Sequence, residues 1–176
     1  MKVTNILFLF TLAFVGTVLQ ACSCQKPRPP KPKKTITTEQ VKEFLIVNVL
    51  DEEFYKACHF DSPHEINIPL DGLRAFLEAP EQNGLDKQKT ELVFACTGYR
   101  CSASHAAYTI ATELGYEKAS VFSGGMAEAK YAGIPMHGTD CNASWLEDYK
   151  KPEGMEEDPE VRTISVEKLQ TLLKDA

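Results

Sequence analysis

The chain has 176 residues, 43% of them hydrophobic and 25% charged, with a formal net charge of −6 and six cysteines. That length fits one domain plus an appendage, and the acidic balance argues against nucleic-acid binding, which needs clustered Lys and Arg to neutralise phosphates. Ten Gly and ten Pro are ordinary for this length and exclude a collagen-like or wholly disordered chain.

The averages hide an uneven chain. All 25 acidic residues follow position 34, while six of the 19 basic residues, four of the ten prolines and two cysteines come before position 35. After a short positive start at Lys2, residues 6–19 are almost continuously apolar. That run suits the core of a signal peptide and is short for a membrane-spanning helix, which needs ~20 residues. Leu19-Gln20-Ala21-Cys22 follows at once and resembles the lipobox of bacterial lipoproteins. The resemblance implies cleavage before Cys22, a lipidated Cys22, and with Ser23 next, sorting to an outer membrane facing the periplasm. Residues 25–34, QKPRPPKPKK, cannot bury a core and form an extended, semi-rigid tether; Cys24 lies at its start. The expected organisation is a signal peptide over 1–21, a lipidated tether over 22–34, a folded domain over 35–138 and an extension over 139–176.

The folded part begins with a short strand at Thr35-Ile36-Thr37, then a helix from Thr38 through Phe44 whose apolar face includes Val41, Phe44 and Leu45. Residues 46–50 form an apolar strand, and Asp51 is a candidate cap for a helix through Ala57. A short strand at Ile66-Asn67-Ile68 ends at Pro69, and residues 70–77 form a helix broken by Ala79-Pro80 and Asn83-Gly84. Residues 92–96 are the most strand-like run, followed by a helix over 104–114 with Ser104 as its cap. A strand over 119–122, a Gly124-Gly125 turn and a helix over 126–131 complete the pattern. Strands alternating with helices predict an α/β fold in three layers, with a central parallel sheet and helices on both faces.

Ligands of such sheets bind beyond the carboxyl ends of the strands, which is where Cys96 falls. The loop continues Thr97-Gly98-Tyr99-Arg100-Cys101-Ser102. Backbone amides of residues 97–102, with those opening the next helix, form a candidate cradle for a thiolate, persulfide or oxyanion. Gly98 permits a tight path, and Arg100 offers a fixed positive charge. From position alone, an inert buried cysteine at a strand end is the competing reading.

The order and spacing of several stretches resemble the rhodanese family from about residue 35 to 136. They are Ile46-Val47-Asn48-Val49, Cys58-His59-Phe60, Ile66-Asn67-Ile68-Pro69, the run into Cys96, Leu114-Gly115-Tyr116, and Val121-Phe122-Ser123-Gly124-Gly125-Met126. The resemblance implies a rhodanese-like fold and a sulfurtransferase in which Cys96 is nucleophile and carrier of a persulfide. Its partners would be a small sulfur donor and a thiol acceptor, with no cofactor, metal or nucleic acid. The loop departs from the family's Cys-x-x-Gly-x-Arg-Ser: Gly98 comes one place early and Cys101 is a second cysteine. Related phosphatases of this fold need an Arg where Ser102 stands. Asn48-Val49-Leu50 also replaces the family's Asp-Val-Arg. Two alternatives stay open: a thiol–disulfide module with Cys101 as resolving thiol, and an inactive rhodanese-fold binding domain.

Cys58 and Cys141 have no assigned partner from sequence, and a disulfide framework is the weaker reading of the even cysteine count. His59 sits at a helix-to-strand turn, where it orients backbone. His105 follows the loop on a helix, as a solvent-facing residue. Trp145, Leu146 and Tyr149 are expected to pack the extension onto the domain. Acidic residues 153–160 look like a linker, after which residues 162–173 read as a partial repeat of residues 34–45: short strand, cap, amphipathic helix.

Overall fold

The computed structural model describes residues 43–175, so the signal-peptide, lipidation and tether expectations, and the elements expected over 35–42, lie outside the described residues. The main sheet is built from β1 (Phe44–Asn48), β3 (Glu65–Asn67), β4 (Glu91–Ala95) and β5 (Ala119–Phe122) in the order β3-β1-β4-β5. All three pairings are parallel, with Ile46 opposite Glu65 and Val93, and Phe94 opposite Val121. Helices α1 (Glu52–Ala57), α2 (Leu70–Leu77), α3 (Ala103–Glu113), α4 (Gly125–Tyr131) and α5 (Val166–Asp175) flank the sheet. A separate antiparallel pair joins β2 (His59–Phe60) to β6 (Met136–His137). This is the α/β architecture expected from the alternating pattern.

Strand β1 corrects the first boundary. Phe44 and Leu45, expected on a helix face, open this strand, and all five of its residues are buried. β1 is an inner strand of a parallel sheet, and burial of all five residues shows that both its faces are covered, which is why its sequence is almost continuously apolar. A short apolar run of that kind has no period that separates strand from helix. The repeat suggested for residues 162–173 therefore diverges at its end. Leu172 and Leu173 are helical in α5, whereas their counterparts Phe44 and Leu45 are strand.

The extension docks on this chain's own sheet. Thr163 bridges Val121 in parallel fashion, with the Val121 amide donating to the Arg162 carbonyl at 2.8 Å and the Ile164 amide donating to the Val121 carbonyl at 2.9 Å. Ser165 caps α5 by accepting from the Lys168 amide at 3.3 Å, and Leu169 of this helix is fully buried. Trp145 meets Phe54 edge to face, and Leu146 is buried. The core gathers the sheet residues with Leu73, Leu77, Tyr116 and Met126. Tyr116 donates its hydroxyl to the Leu77 carbonyl at 2.8 Å, so its polar end is satisfied while its ring is buried.

Cys58 and Cys141 form a disulfide with Cα atoms 4.8 Å apart, which corrects the weaker weight given to disulfide pairing from sequence. The β2–β6 pairing and the backbone bonds from Thr139 to Lys56 and from Asp140 to Ala57 bring the two cysteines together. Among the described residues no helix is long and apolar enough to cross a membrane, and no group of three or more His, Cys, Asp or Glu side chains could hold a metal ion.

Candidate active site

Strand β4 ends at Ala95, so Cys96 is the first residue of the loop at the carboxyl end of the sheet. The loop is folded on itself and held from the side. The Cys101 amide donates to the Gly98 carbonyl at 2.9 Å. The first turn of α4 donates to the loop, Met126 to the Cys96 carbonyl at 2.9 Å and Ala127 to the Thr97 carbonyl at 3.0 Å. Gly125 makes this approach possible: its φ is +55°, and a Cβ there would stand 2.6 Å from the Gly98 nitrogen. Gly98 serves close packing in the same way, since a Cβ there would press on the Asp148 and Gly124 carbonyls. Gly124-Gly125 is thus more than the turn its sequence suggests.

The two loop cysteines are both free and differ in surroundings. Cys96 is completely buried. Its sulfur lies 3.4 Å from the Cys101 carbonyl oxygen, 3.9 Å from the Gly98 carbonyl oxygen and 3.4 Å from Ser104 Oγ. Ser104 is not the cap of α3 that its residue type suggests. It lies inside the helix, which starts at Ala103, and Ser102 takes the cap position without a side-chain bond. Cys101 is only half-buried and lines a cavity of about 330 Å³ together with Tyr99, Arg100, His105 and Ser123. Ser123 Oγ is buried there with no hydrogen-bond partner.

The electrostatics follow these surroundings. A hydrogen bond from Cys96 is the largest influence on Cys101 and favours its thiolate, holding it far below the usual thiol range at about 5. Burial opposes this, and hydrogen bonding from the backbone at Ala103 and Thr97 and from the Thr97 side chain adds to it. Cys96 moves the other way: the bond to Cys101 and then burial push its thiol far up. Tyr99 is pushed up to about 12 by burial and then by Glu128.

The remaining predicted residues divide. Thr97 faces Cys101, whereas Arg100 points outward, 73% exposed, with Nε 3.0 Å from Asp148 Oδ2. Its charge is thus shared with a carboxylate rather than aimed into the loop, contrary to the role expected of it. His105 lines the cavity instead of simply facing solvent. His59 Nδ1 lies 2.9 Å from the Tyr55 carbonyl, a backbone-orienting contact of the expected kind. Asn48, where the family has Asp, is fully buried and uses its whole amide: Nδ2 reaches Glu65 Oε1 at 2.9 Å and Met126 Sδ at 3.6 Å, and Oδ1 accepts from the Leu50 amide.

The stretch read as an acidic linker forms a wall of the cavity through Met155, Glu156, Glu157 and Asp158, with Lys151 just before it. Lys151 Nζ bonds Glu157 Oε1 at 2.8 Å, and Thr163 Oγ1 bonds Glu157 Oε2 at 2.8 Å, so Glu157 pins the segment on both sides. No motif in the sequence marks this wall, because it meets the loop only through long-range contacts.

The rhodanese-like domain model matches residues 32–132, more than half of the chain. The chain belongs to the rhodanese family. Its rhodanese-like domain is similar to a rhodanese-like domain from Anabaena, with 22% identity over 53% of this chain and 98% of that one and a TM-score of 0.46. A rhodanese with anions from E. coli shows 25% identity over 55% of this chain and 99% of that one, with a TM-score of 0.41. A single-domain sulfurtransferase from Saccharomyces cerevisiae shows 23% identity over 55% and 84%, with a TM-score of 0.43. No curated protein matches the chain.

Proposed function

We propose that this rhodanese-like protein transfers sulfane sulfur, carrying it as a persulfide on a cysteine of the loop between β4 and α3. The observation that carries this reading is a pair of free thiols on one loop, one of them favoured as thiolate and opening on a cavity. A thiolate there attacks the outer sulfur of a donor such as thiosulfate. The new sulfur–sulfur bond forms as the donor's own breaks, and sulfite leaves with the electron pair. An acceptor thiolate then attacks the outer sulfur of the persulfide, and the loop thiolate is the leaving group. Neither step needs a cofactor. In the test, the full chain is incubated with thiosulfate or inorganic polysulfide and weighed intact. The expected result is an adduct of one sulfur atom on the loop, absent when Cys96 and Cys101 are both replaced by Ser. No adduct from either donor overturns the reading.

Two free thiols on one loop, each the largest influence on the other's ionisation, support a second reading, disulfide exchange. One thiolate would attack a disulfide substrate and expel a thiolate, and the other would resolve the mixed disulfide and expel the second. Its mark is a loop that gains an internal disulfide, two hydrogens lighter, with no sulfur added. A loop inert to both chemistries would leave a binding domain.

Export and lipid anchoring through Cys22 belong to the same proposal, with the domain held off an outer membrane on its basic tether and facing the periplasm. The Cys58–Cys141 disulfide supports an oxidising compartment. Labelled fatty acid should enter the wild-type chain, and that chain should sediment with the membrane fraction. Cys22→Ser should lose the label and appear in the soluble fraction, and a soluble, unlabelled wild-type chain would refute the anchor.

A further inference from the structure

Cys96 and Cys101 sit on one loop, but they differ in exposure and in polar neighbours. The Cys96 sulfur faces two carbonyl oxygens, those of Cys101 and Gly98, together with the Ser104 hydroxyl. Carbonyl oxygens suit a thiol S–H and repel a thiolate. The site is also closed, since Cys96 has no exposed surface. Cys101 is only half-buried, and the backbone at Ala103 and Thr97 favours its thiolate, as the Ser104 backbone does more weakly for Cys96. Only Cys101 of the two lines the cavity, with Tyr99, Arg100, His105 and Ser123 among its other lining residues.

We infer that Cys101 carries the transferred sulfur, and that Cys96 is a buried positioning residue whose S–H is held by the loop carbonyls. This rests on the sulfurtransferase reading above and deepens it. The Cys101 thiolate attacks the donor's outer sulfur, the Cys101–sulfur bond forms, and the donor's sulfur–sulfur bond breaks with release of sulfite from thiosulfate. The S–H of Cys96 stays on Cys96 throughout. The added sulfur extends into the cavity that Cys101 lines.

The experiment compares full-length wild type with C101S, C96S and C96A, using thiosulfate and inorganic polysulfide as donors and peptide mass to place the adduct. Wild type should load on Cys101. C101S should lose loop loading by ~100-fold or more. C96S keeps a hydrogen-bond donor and should load on Cys101 at a reduced rate. C96A should move the pH profile of Cys101 alkylation upward by ~1 unit or more, toward an ordinary thiol, and C96S should restore part of that shift. A purely packing role for Cys96 would leave that profile unmoved. Limiting iodoacetamide on the wild type provides a reading that needs no variant to fold, and should label Cys101 before Cys96. Loading that persists in C101S and disappears in C96S, or first labelling at Cys96, overturns the assignment while leaving sulfur transfer intact. Failure of the wild type to load from either donor is the distinct result that overturns sulfur transfer itself.

Discussion

The domain holds two cysteine pairs that share a residue type and little else. Cys58 and Cys141 are separated by 83 positions and are joined, whereas Cys96 and Cys101 lie on one loop and are free. Burial does not separate the pairs, because each has one fully enclosed member, Cys58 or Cys96. The backbone around them does. The β2–β6 ladder and its continuation, Thr139 to Lys56 and Asp140 to Ala57, set Cys58 and Cys141 side by side. The tight turn from Gly98 to Cys101 gives the other pair unequal surroundings: one sulfur is enclosed against two loop carbonyls, and the other belongs to a half-buried residue at the cavity. One arrangement makes a crosslink and the other makes an asymmetric pair suited to chemistry.

Removing the crosslink should have the largest effect on stability and little on the loop. The bond closes a long stretch of chain, so Cys58→Ala with Cys141→Ala should lower unfolding free energy by ~2–4 kcal/mol. Denaturant midpoints measure that loss. Sulfur loading by the remaining folded protein should stay within ~3-fold of wild type, since the crosslink belongs to the β2–β6 ladder rather than to the loop. A collapse of loading at a temperature where the variant is still folded would show that the two pairs are coupled and break the contrast.

A third enclosed group separates burial from partnership as the cause of a raised pKa. Cys96 is pushed up first by its bond to Cys101. Glu65 is pushed up to about 8 by burial, partly offset by Asn48 and by the Phe60 backbone. The folded protein therefore keeps a proton on Glu65 that the unfolded chain releases above its ordinary carboxyl pKa. Stability contributed in this way is present at acid pH and declines as pH rises toward 8. Glu65→Gln should flatten that decline, and at pH 8 it should be more stable than wild type by ~2 kcal/mol relative to the difference at pH 4. Urea midpoints across that range measure it. A constant difference between the two proteins would show that Glu65 ionises normally.

The alternating elements are legible in the sequence because each carries a local signal: α2 and β5 fall where the apolar pattern and the Pro69 and Gly124 breaks put them. The position of Cys96 after β4 is legible for the same reason. The division of labour between Cys96 and Cys101 is not, because it depends on which loop carbonyls and amides turn inward, and sequence spacing does not encode that. Ser104 shows the difficulty well. Its identity suggests a helix cap, and only the start of α3 one residue earlier turns its hydroxyl toward Cys96. The Cys58–Cys141 bond and the wall formed by residues 151–158 leave no mark in the sequence, because both are long-range contacts without a motif.

That wall leads back to the contrast between the pairs. The disulfide ties Cys141 to the domain covalently, and a little further along Asp148 ties the same segment to the loop by its ion pair with Arg100. The two ties should differ greatly in strength. Both partners of the ion pair are largely exposed, so Asp148→Asn should change stability by less than ~1 kcal/mol. Its effect should appear in donor preference instead. Freed of its carboxylate, Arg100 makes the cavity mouth more positive, and loading from thiosulfate should rise ~2–3-fold at low salt and return to the wild-type rate as salt screens the charge. Arg100→Gln should move the rate the other way. Rates measured against ionic strength with both variants decide the matter: a salt-independent change would mean that the segment had shifted, and that Asp148 holds the wall in place rather than tuning its charge.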